Sequence, residues 1–377
     1  MKISCSKAAL VNGIQAVYRA VAAKPAMAVL SGILMETTSQ GLRIVAYDLD
    51  LGIETFIPVT IERDGAMVLP ARYISDITRR LPHAEVSITY REDIHAAEIV
   101  SERSSFTVKT MPAAEYPALP EIAASHTWMI PETGLKTMIR RTLPAAATDD
   151  SRAVLTGLSI TLERDRLMMI ATDSFRLAHR VMALEGGLEE TASAVIPAKA
   201  MAEIERNLSA EGDRLVSLAL TDKYAMVQVG PTTYITRLLE GQFPNVKQVF
   251  PQNIPTKITC DRLQLLESVD RVSIMCKDEL SAVRMSYTGD QGMASGFLTI
   301  SAVTPEAGHA VEDIPVSLQG AADVQVAMRA RYIRDVLRVL DGEEVTLGYT
   351  SFRHPVEVKD PSDTDYTYLL MPVTSPA

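Results

Sequence analysis

The chain has little of what most chemistry needs. Its three cysteines, Cys5, Cys260 and Cys276, are odd in number and lack CxxC spacing. That argues against a disulfide framework or a zinc site and fits a reducing cytoplasm. The six histidines, at 83, 95, 126, 179, 309 and 354, show no metal-ligand spacing, and HExxH, Walker, GxGxxG and GxSxG motifs are missing. No apolar run approaches the roughly 18 residues of a membrane-spanning helix, and MKISCSKAAL has no apolar core of a signal peptide. The expectation is a cytoplasmic protein that is not an enzyme, with no metal, no cofactor and no membrane partner.

Carboxylates are plentiful, but none has a visible catalytic partner. Asp149-Asp150 and Glu189-Glu190 read as solvated loop charge. Asp173, in Ala171-Thr172-Asp173-Ser174-Phe175-Arg176, and Asp48, in Ala46-Tyr47-Asp48-Leu49-Asp50, hold equivalent places at strand–turn junctions. Recurrence at a turn is better explained by turn geometry than by catalysis.

What is present is repetition. Val68-Leu69-Pro70-Ala71-Arg72-Tyr73-Ile74 reads as a strand end followed by a helix opened by Pro70 at its first turn and closed before Pro82. Residues 73, 74, 77 and 81 are expected to form its buried face. The phrase returns as Ile196-Pro197-Ala198-Lys199, about 127 residues on, and as Met328-Arg329-Ala330-Arg331, about 131 further. A near-constant interval over 377 residues points to three repeats of ordinary domain size. Their expected bounds are 1–122, 126–250 and 256–377, with Pro-containing linkers at 111–122 and 239–255.

Each repeat reads as a doubled unit of strand, helix and three strands, an α+β architecture. In the first, helix Lys7 to Val21 precedes strands near 32–37, 42–47 and 52–59; strands near 85–90, 96–101 and 104–110 follow the second helix. In the second, strands are expected around 154–162, 166–171 and 176–183, and again near 214–220, 224–229 and 232–238. Lys257-Ile258-Thr259-Cys260 nearly copies Lys2-Ile3-Ser4-Cys5 and opens the third.

Net charge is −10, which by itself argues against nucleic acid, yet it is unevenly spread. Six expected helices carry +8 between them and the rest of the chain −18. Basic helices in an acidic chain read either as ordinary solvated helix faces or as the asymmetry that a nucleic-acid-facing surface needs.

The threefold repeat, ATDSFRLA at 171–178, LEGQFPN at 239–245 and LLMPV at 369–373 together resemble the bacterial DNA polymerase III beta subunit, or sliding-clamp, family over essentially the whole chain. The resemblance implies a head-to-tail homodimer forming a ring of six similar domains, with sheets outside and helices lining the hole. It implies sequence-independent contact with double-stranded DNA, for which Lys24, Arg72, Arg79, Lys199, Arg206, Arg334 and Arg338 are the candidates. It further implies a pocket walled by Leu155, Thr172, Ser174, Arg176, Leu177, Pro244, Val249, Leu370, Met371 and Pro372. The DNA polymerase III alpha subunit, the clamp loader and other proteins with the clamp-binding motif would insert a peptide there. Two departures stand out. The family usually has Gly where Ser174 stands, often followed by an aromatic residue or His, here Phe175; and Thr374-Ser375-Pro376-Ala377 occupy a tail where basic residues are usual. The competing readings are a triplicated protein-interaction scaffold that never encircles DNA, and an enzyme whose site is assembled from distant residues.

Overall fold

The computed structural model describes residues 1–82, 85–124, 126–184, 191–277, 281–288, 295–304, 308–321 and 323–373. His83, the Glu189-Glu190 pair and the Thr374–Ala377 tail lie outside the described residues. Six α-helices are described: α1 (Lys7–Tyr18), α2 (Ala71–Arg80), α3 (Glu132–Thr142), α4 (Ala198–Asn207), α5 (Arg262–Val272) and α6 (Ala330–Val339). No described helix is long and apolar enough to cross a membrane.

The chain packs as two compact units. The first comprises Met1–Leu135 and Lys199–Leu238. It holds a five-stranded sheet in the order Thr60–Arg63, Lys2–Ser6, Glu85–Arg91, Ala96–Ser101, Ser104–Lys109. It also holds an eight-stranded sheet: Thr127–Pro131, Leu215–Leu220, Tyr224–Val229, Thr232–Arg237, Leu51–Ile57, Gly41–Tyr47, Gly32–Thr38, Ala66–Pro70. The second unit comprises Lys136–Ala198 and Leu239–Ala377. Its twelve-stranded sheet runs Ala192–Pro197, Gly157–Glu163, Arg166–Thr172, Arg176–Ala183, Tyr366–Leu370, Val356–Lys359, Glu344–Tyr349, Thr256–Asp261, Gly308–Gln319, Ser295–Thr304, Ala282–Thr288, Gln325–Arg329. Among the described residues every strand pairing is antiparallel, and side chains alternate between the two faces of each sheet. The middle repeat is thereby divided, its first three-strand run in one unit and its second in the other.

Local chemistry explains the helix starts. The Ser6 side chain accepts from Ala9 N at 3.2 Å and begins α1; Asp261 accepts from Gln264 N at 2.7 Å and begins α5. α1 lays Leu10, Gly13, Ile14 and Val17 against the sheet. A Cβ at Gly13 would come within 2.8 Å of Ile44 and Ile57, so the helix is close because that residue has no side chain. In the second unit α5 packs on α6.

Several expectations shift. Strand 52–59 ends at Ile57, because Pro58 interrupts it; Thr60–Arg63 then joins a different sheet beside Lys2–Ser6. Residues 154–156 belong to a 3-10 turn, Asp150–Thr156, and the strand begins at Gly157. On α2 the buried residues are Ala71, Ile74, Ser75 and Thr78, while Tyr73 is 61% exposed and Ile77 only half-buried. The helix is rotated from the expected face, and Tyr73 and Ile77 line a shallow cavity with Pro70, Phe106 and Val108.

A candidate peptide groove and the basic helices

The groove is built on the turn joining Arg166–Thr172 to Arg176–Ala183. Asp173 Oδ1 accepts from the backbone N–H of Phe175 (2.9 Å) and Arg176 (3.0 Å), and Oδ2 from Arg176 Nε at 3.0 Å. Thr172 Oγ1 donates to Arg176 O at 2.6 Å and accepts from Ser174 N at 3.1 Å. These bonds hold Ser174 at φ +76°, the left-handed region that favours glycine. The departure from glycine therefore leaves the turn its shape. Asp48 builds the same turn in repeat one, accepting from Asp50 N (3.1 Å) and Leu51 N (2.7 Å) with Leu49 at φ +78°. Both carboxylates act as turn acceptors.

Strand pairing then sets the wall. Leu177 lies opposite Leu369, and Arg176 opposite Leu370. Leu177 and Leu369 form one buried cluster with Val246, against which Ile170, Phe243 and Phe250 pack. By the two-residue alternation of a strand, Leu370 points to the other face, so Leu369 takes the place expected for Leu370. Val246 is buried in this cluster, while Val249 and Pro244 of the same linker are exposed. Leu155 is buried in the 3-10 turn, and Met371 and Pro372 are half-buried at the rim. Backbone hydrogen bonding continues past the strand end at Leu370. Met371 N donates to Phe175 O at 2.9 Å, and Val373 N reaches Ala327 O at 2.8 Å on the edge strand Gln325–Arg329.

Electrostatics complete the rim. Arg176, 4% exposed, pairs with Asp173 and with Asp335 of α6 at 2.5 Å, and its guanidinium carbon lies 4.2 Å from the centre of the Tyr332 ring. Burial works to lower its pKa; interactions with Tyr368, Asp335 and Asp173 outweigh it and raise it, so the side chain stays a cation. Burial, and then Arg166, lower the His179 pKa, so a neutral imidazole meets Phe250 edge-on at 5.4 Å. Phe175, half exposed, sits under the Arg329 guanidinium at 4.3 Å. The result is a buried apolar cluster edged by polar groups and by half-exposed Phe175, a lining of the kind that peptide sites use. Among the described residues no His/Cys/Asp/Glu group is arranged to hold a metal ion.

Family models of the DNA polymerase III beta subunit match the N-terminal domain over residues 1–120, the central domain over 129–245 and the C-terminal domain over 247–374. The chain belongs to the DNA polymerase III beta subunit family. It is 31% identical to the beta sliding clamp of Bacillus subtilis over 382 residues, covering 99% of both chains, and 30% identical to that of Synechocystis over 394 residues with the same coverage. The solved Bacillus subtilis clamp superposes with a TM-score of 0.92 at 30% identity, covering 100% of both chains. A Pseudomonas aeruginosa clamp solved with griselimycin gives 0.91 at 26%, again over 100% of both. The fold is thus the three-domain clamp fold, and the function is that of a DNA polymerase processivity sliding clamp.

The seven basic residues expected to face DNA in this clamp are divided in character. Lys24 and Arg72 are exposed, and among the described residues neither has an ion-pair partner. Lys199 meets Asp48 at 2.5 Å, Arg79 meets Asp76 at 3.6 Å, and Arg206 pairs with Glu203. Arg334 and Arg338 share Asp270, at 3.4 and 3.6 Å. The formal helix charge is therefore largely offset by neighbouring carboxylates. Tyr332, Asp335, Arg329, Phe243 and Val246 belong to the groove but were missed by the sequence reading. Of these only Val246 had a signal there, the linker's apolar spacing.

Proposed function

We propose that two copies of this clamp close head-to-tail around duplex DNA and hold polymerases by an extended peptide in the groove at Leu177, Val246 and Leu369, without catalysing a reaction. In this reading the three domains span 1–122, 126–250 and 256–377. The DNA polymerase III alpha subunit, the clamp loader and other proteins with the family's binding motif take turns in the groove.

The observation that carries the ring is a pair of unused strand edges. Ser104–Lys109 ends its sheet and is flanked by exposed Phe106 and Tyr73. Gly308–Gln319 pairs from Gly308 to Ser317 with Ser295–Thr304, but among the described residues only Ser317 to Gln319 are paired on its other side. Its open stretch is flanked by exposed Val311 and Ile274, the latter 79% exposed. Open edges with apolar neighbours invite strand pairing, and edges at different places on one chain give a heterologous joint.

Local offsetting of the inner charges suits sliding, since phosphate attraction should be diffuse and base edges unread. It also suits a scaffold that ignores DNA, and one experiment separates the two. Purified protein, loaded onto nicked circular DNA, should be retained through gel filtration and released when the DNA is linearised. Equal retention on linear and circular DNA, or none on either, would overturn the ring.

A further inference from the structure

Most of the basic side chains expected to face DNA already hold a carboxylate. Arg79 meets Asp76 and Arg206 meets Glu203, each within its own helix, and Lys199 at the start of α4 meets Asp48. Asp270 differs in its reach. It stands on α5, and its Oδ1 lies 3.4 Å from Arg334 Nη1 and 3.6 Å from Arg338 Nη2, both on α6. One carboxylate thus joins two guanidiniums a helical turn apart on the neighbouring helix. The contact between the helices does not depend on it. α5 buries Leu265, Ser268, Val269 and Val272, α6 buries Ile333, Val336 and Leu337, and the two helices pack on one another. The Asp270 side chain is 39% exposed and that of Arg338 57%, and ion pairs so open to water add little to stability. The arrangement therefore matters mainly for charge.

Without Asp270, Arg334 and Arg338 would present two positive charges to a row of phosphates. With it, the three side chains sum to one. A phosphate that takes either guanidinium must displace the carboxylate, and the freed carboxylate then gathers a cation from solution. That uptake offsets the cation released from the DNA. Both the attraction and its dependence on salt are then weaker than the number of arginines implies. Each handover also exchanges one oxyanion for another on the same guanidinium donors, so no step leaves a bare cation behind.

We propose that Asp270 is a resident counterion of the DNA-facing helices, weakening the hold of Arg334 and Arg338 on phosphate and keeping it exchangeable, as sliding requires. The proposal rests on the reading of α5 and α6 as part of the DNA-facing surface. It gives that surface an acidic residue whose work opposes that of the basic ones.

The test is a fluorescence-anisotropy titration of the full-length protein with a short labelled linear duplex of mixed sequence, repeated between about 50 and about 200 mM NaCl. Asp270→Asn should bind more tightly than wild type at the lower salt. Its plot of log affinity against log salt should be steeper by about one, so that its advantage falls about fourfold across the range. Two comparisons separate displacement from general charge. Asp222→Asn, in the exposed turn between strands Leu215–Leu220 and Tyr224–Val229, makes the same change in net charge and should keep the wild-type slope. Once Arg334→Gln and Arg338→Gln are in place, Asp270→Asn should do no more than Asp222→Asn does. An unchanged slope in Asp270→Asn, an equal gain in Asp222→Asn, or a gain that survives loss of both arginines overturns the role of Asp270 and leaves the ring standing. If wild type binds no duplex at the lower salt, the DNA-facing reading falls and this proposal with it.

Discussion

In the first unit, strand Leu51–Ile57 is joined to Thr232–Arg237; in the second, its counterpart Arg176–Ala183 is joined to Tyr366–Leu370. The first seam is neutral at its centre and covered at its end. Thr55 and Thr232 bridge hydroxyl to hydroxyl at 2.9 Å, and the linker lays Tyr116 and Leu119 over the Asp48 turn. The second seam is ionic and open. Arg141 of α3 and Arg180 both pair with Asp363, Tyr366 Oη donates to Arg141 O at 2.9 Å, and Phe175 projects half exposed beyond the turn. One position accounts for much of the difference at the turn. Gly52 lets the first linker close down, since a Cβ there would sit 2.3 Å from Leu119 Cδ2. Leu177 stands in that place in repeat two and itself packs on the second linker through Val246. Two copies of one turn thus meet their linkers differently.

The contrast breaks most visibly at the ionic seam. Arg141, buried, also donates to Asp341 at 3.0 Å and lies 3.9 Å from the buried Asp360. Arg141→Ala should cost about 3–5 kcal/mol in urea denaturation, because buried carboxylates lose their partner. Replacing Thr55 and Thr232 together by Val should cost under about 1 kcal/mol, since both hydroxyls go at once. Equal losses would show that the two seams are not chemically distinct. Next in size, Gly52→Leu should push the first linker away and destabilise by about 1–3 kcal/mol, read as a fall in melting temperature. Adding Leu119→Ala should recover part of that loss; simple additivity would mean that the two side chains do not meet. The smallest effect sharpens the likeness of the turns. Ser174→Gly and Leu49→Gly should each stabilise by up to about 1 kcal/mol by relieving a left-handed backbone. No gain at either would mean that the turn hydrogen bonds already absorb the strain.

The elements and their order were readable because alternation, helix periodicity and proline punctuation all agree along this chain. Asp48 and Asp173 were legible as turn residues for the same reason: their partners lie two and three residues away. The groove was legible only in part. Leu177 and the Met371-Pro372 rim follow from motif resemblance, but choosing Leu369 over Leu370 needs the register between strands nearly two hundred residues apart. The rotation of α2 that exposes Tyr73 could not be read from spacing, because Tyr73 and Ile77 satisfy helical periodicity as well as the face that is buried. Pairing between basic helices and their carboxylates was hidden for a different reason. Lys199 with Asp48 and Arg334 with Asp270 are contacts between elements, invisible to any count of charge along the chain.

The division of the middle repeat between two sheets has a consequence for taking the protein apart. A fragment cut at the repeat boundaries, 126–250, would carry Thr232–Arg237 without Leu51–Ile57 and Arg176–Ala183 without Tyr366–Leu370. Both raw borders would be strand edges hungry for hydrogen bonds, and such a piece is a recipe for aggregates. The period written in the chain is thus offset by half a step from the period in which the molecule holds together, much as bricks overlap the joints of the course below. Each linker is bypassed by a sheet that runs past it, so that the covalent boundary between repeats is nowhere the boundary of a hydrogen-bonded body.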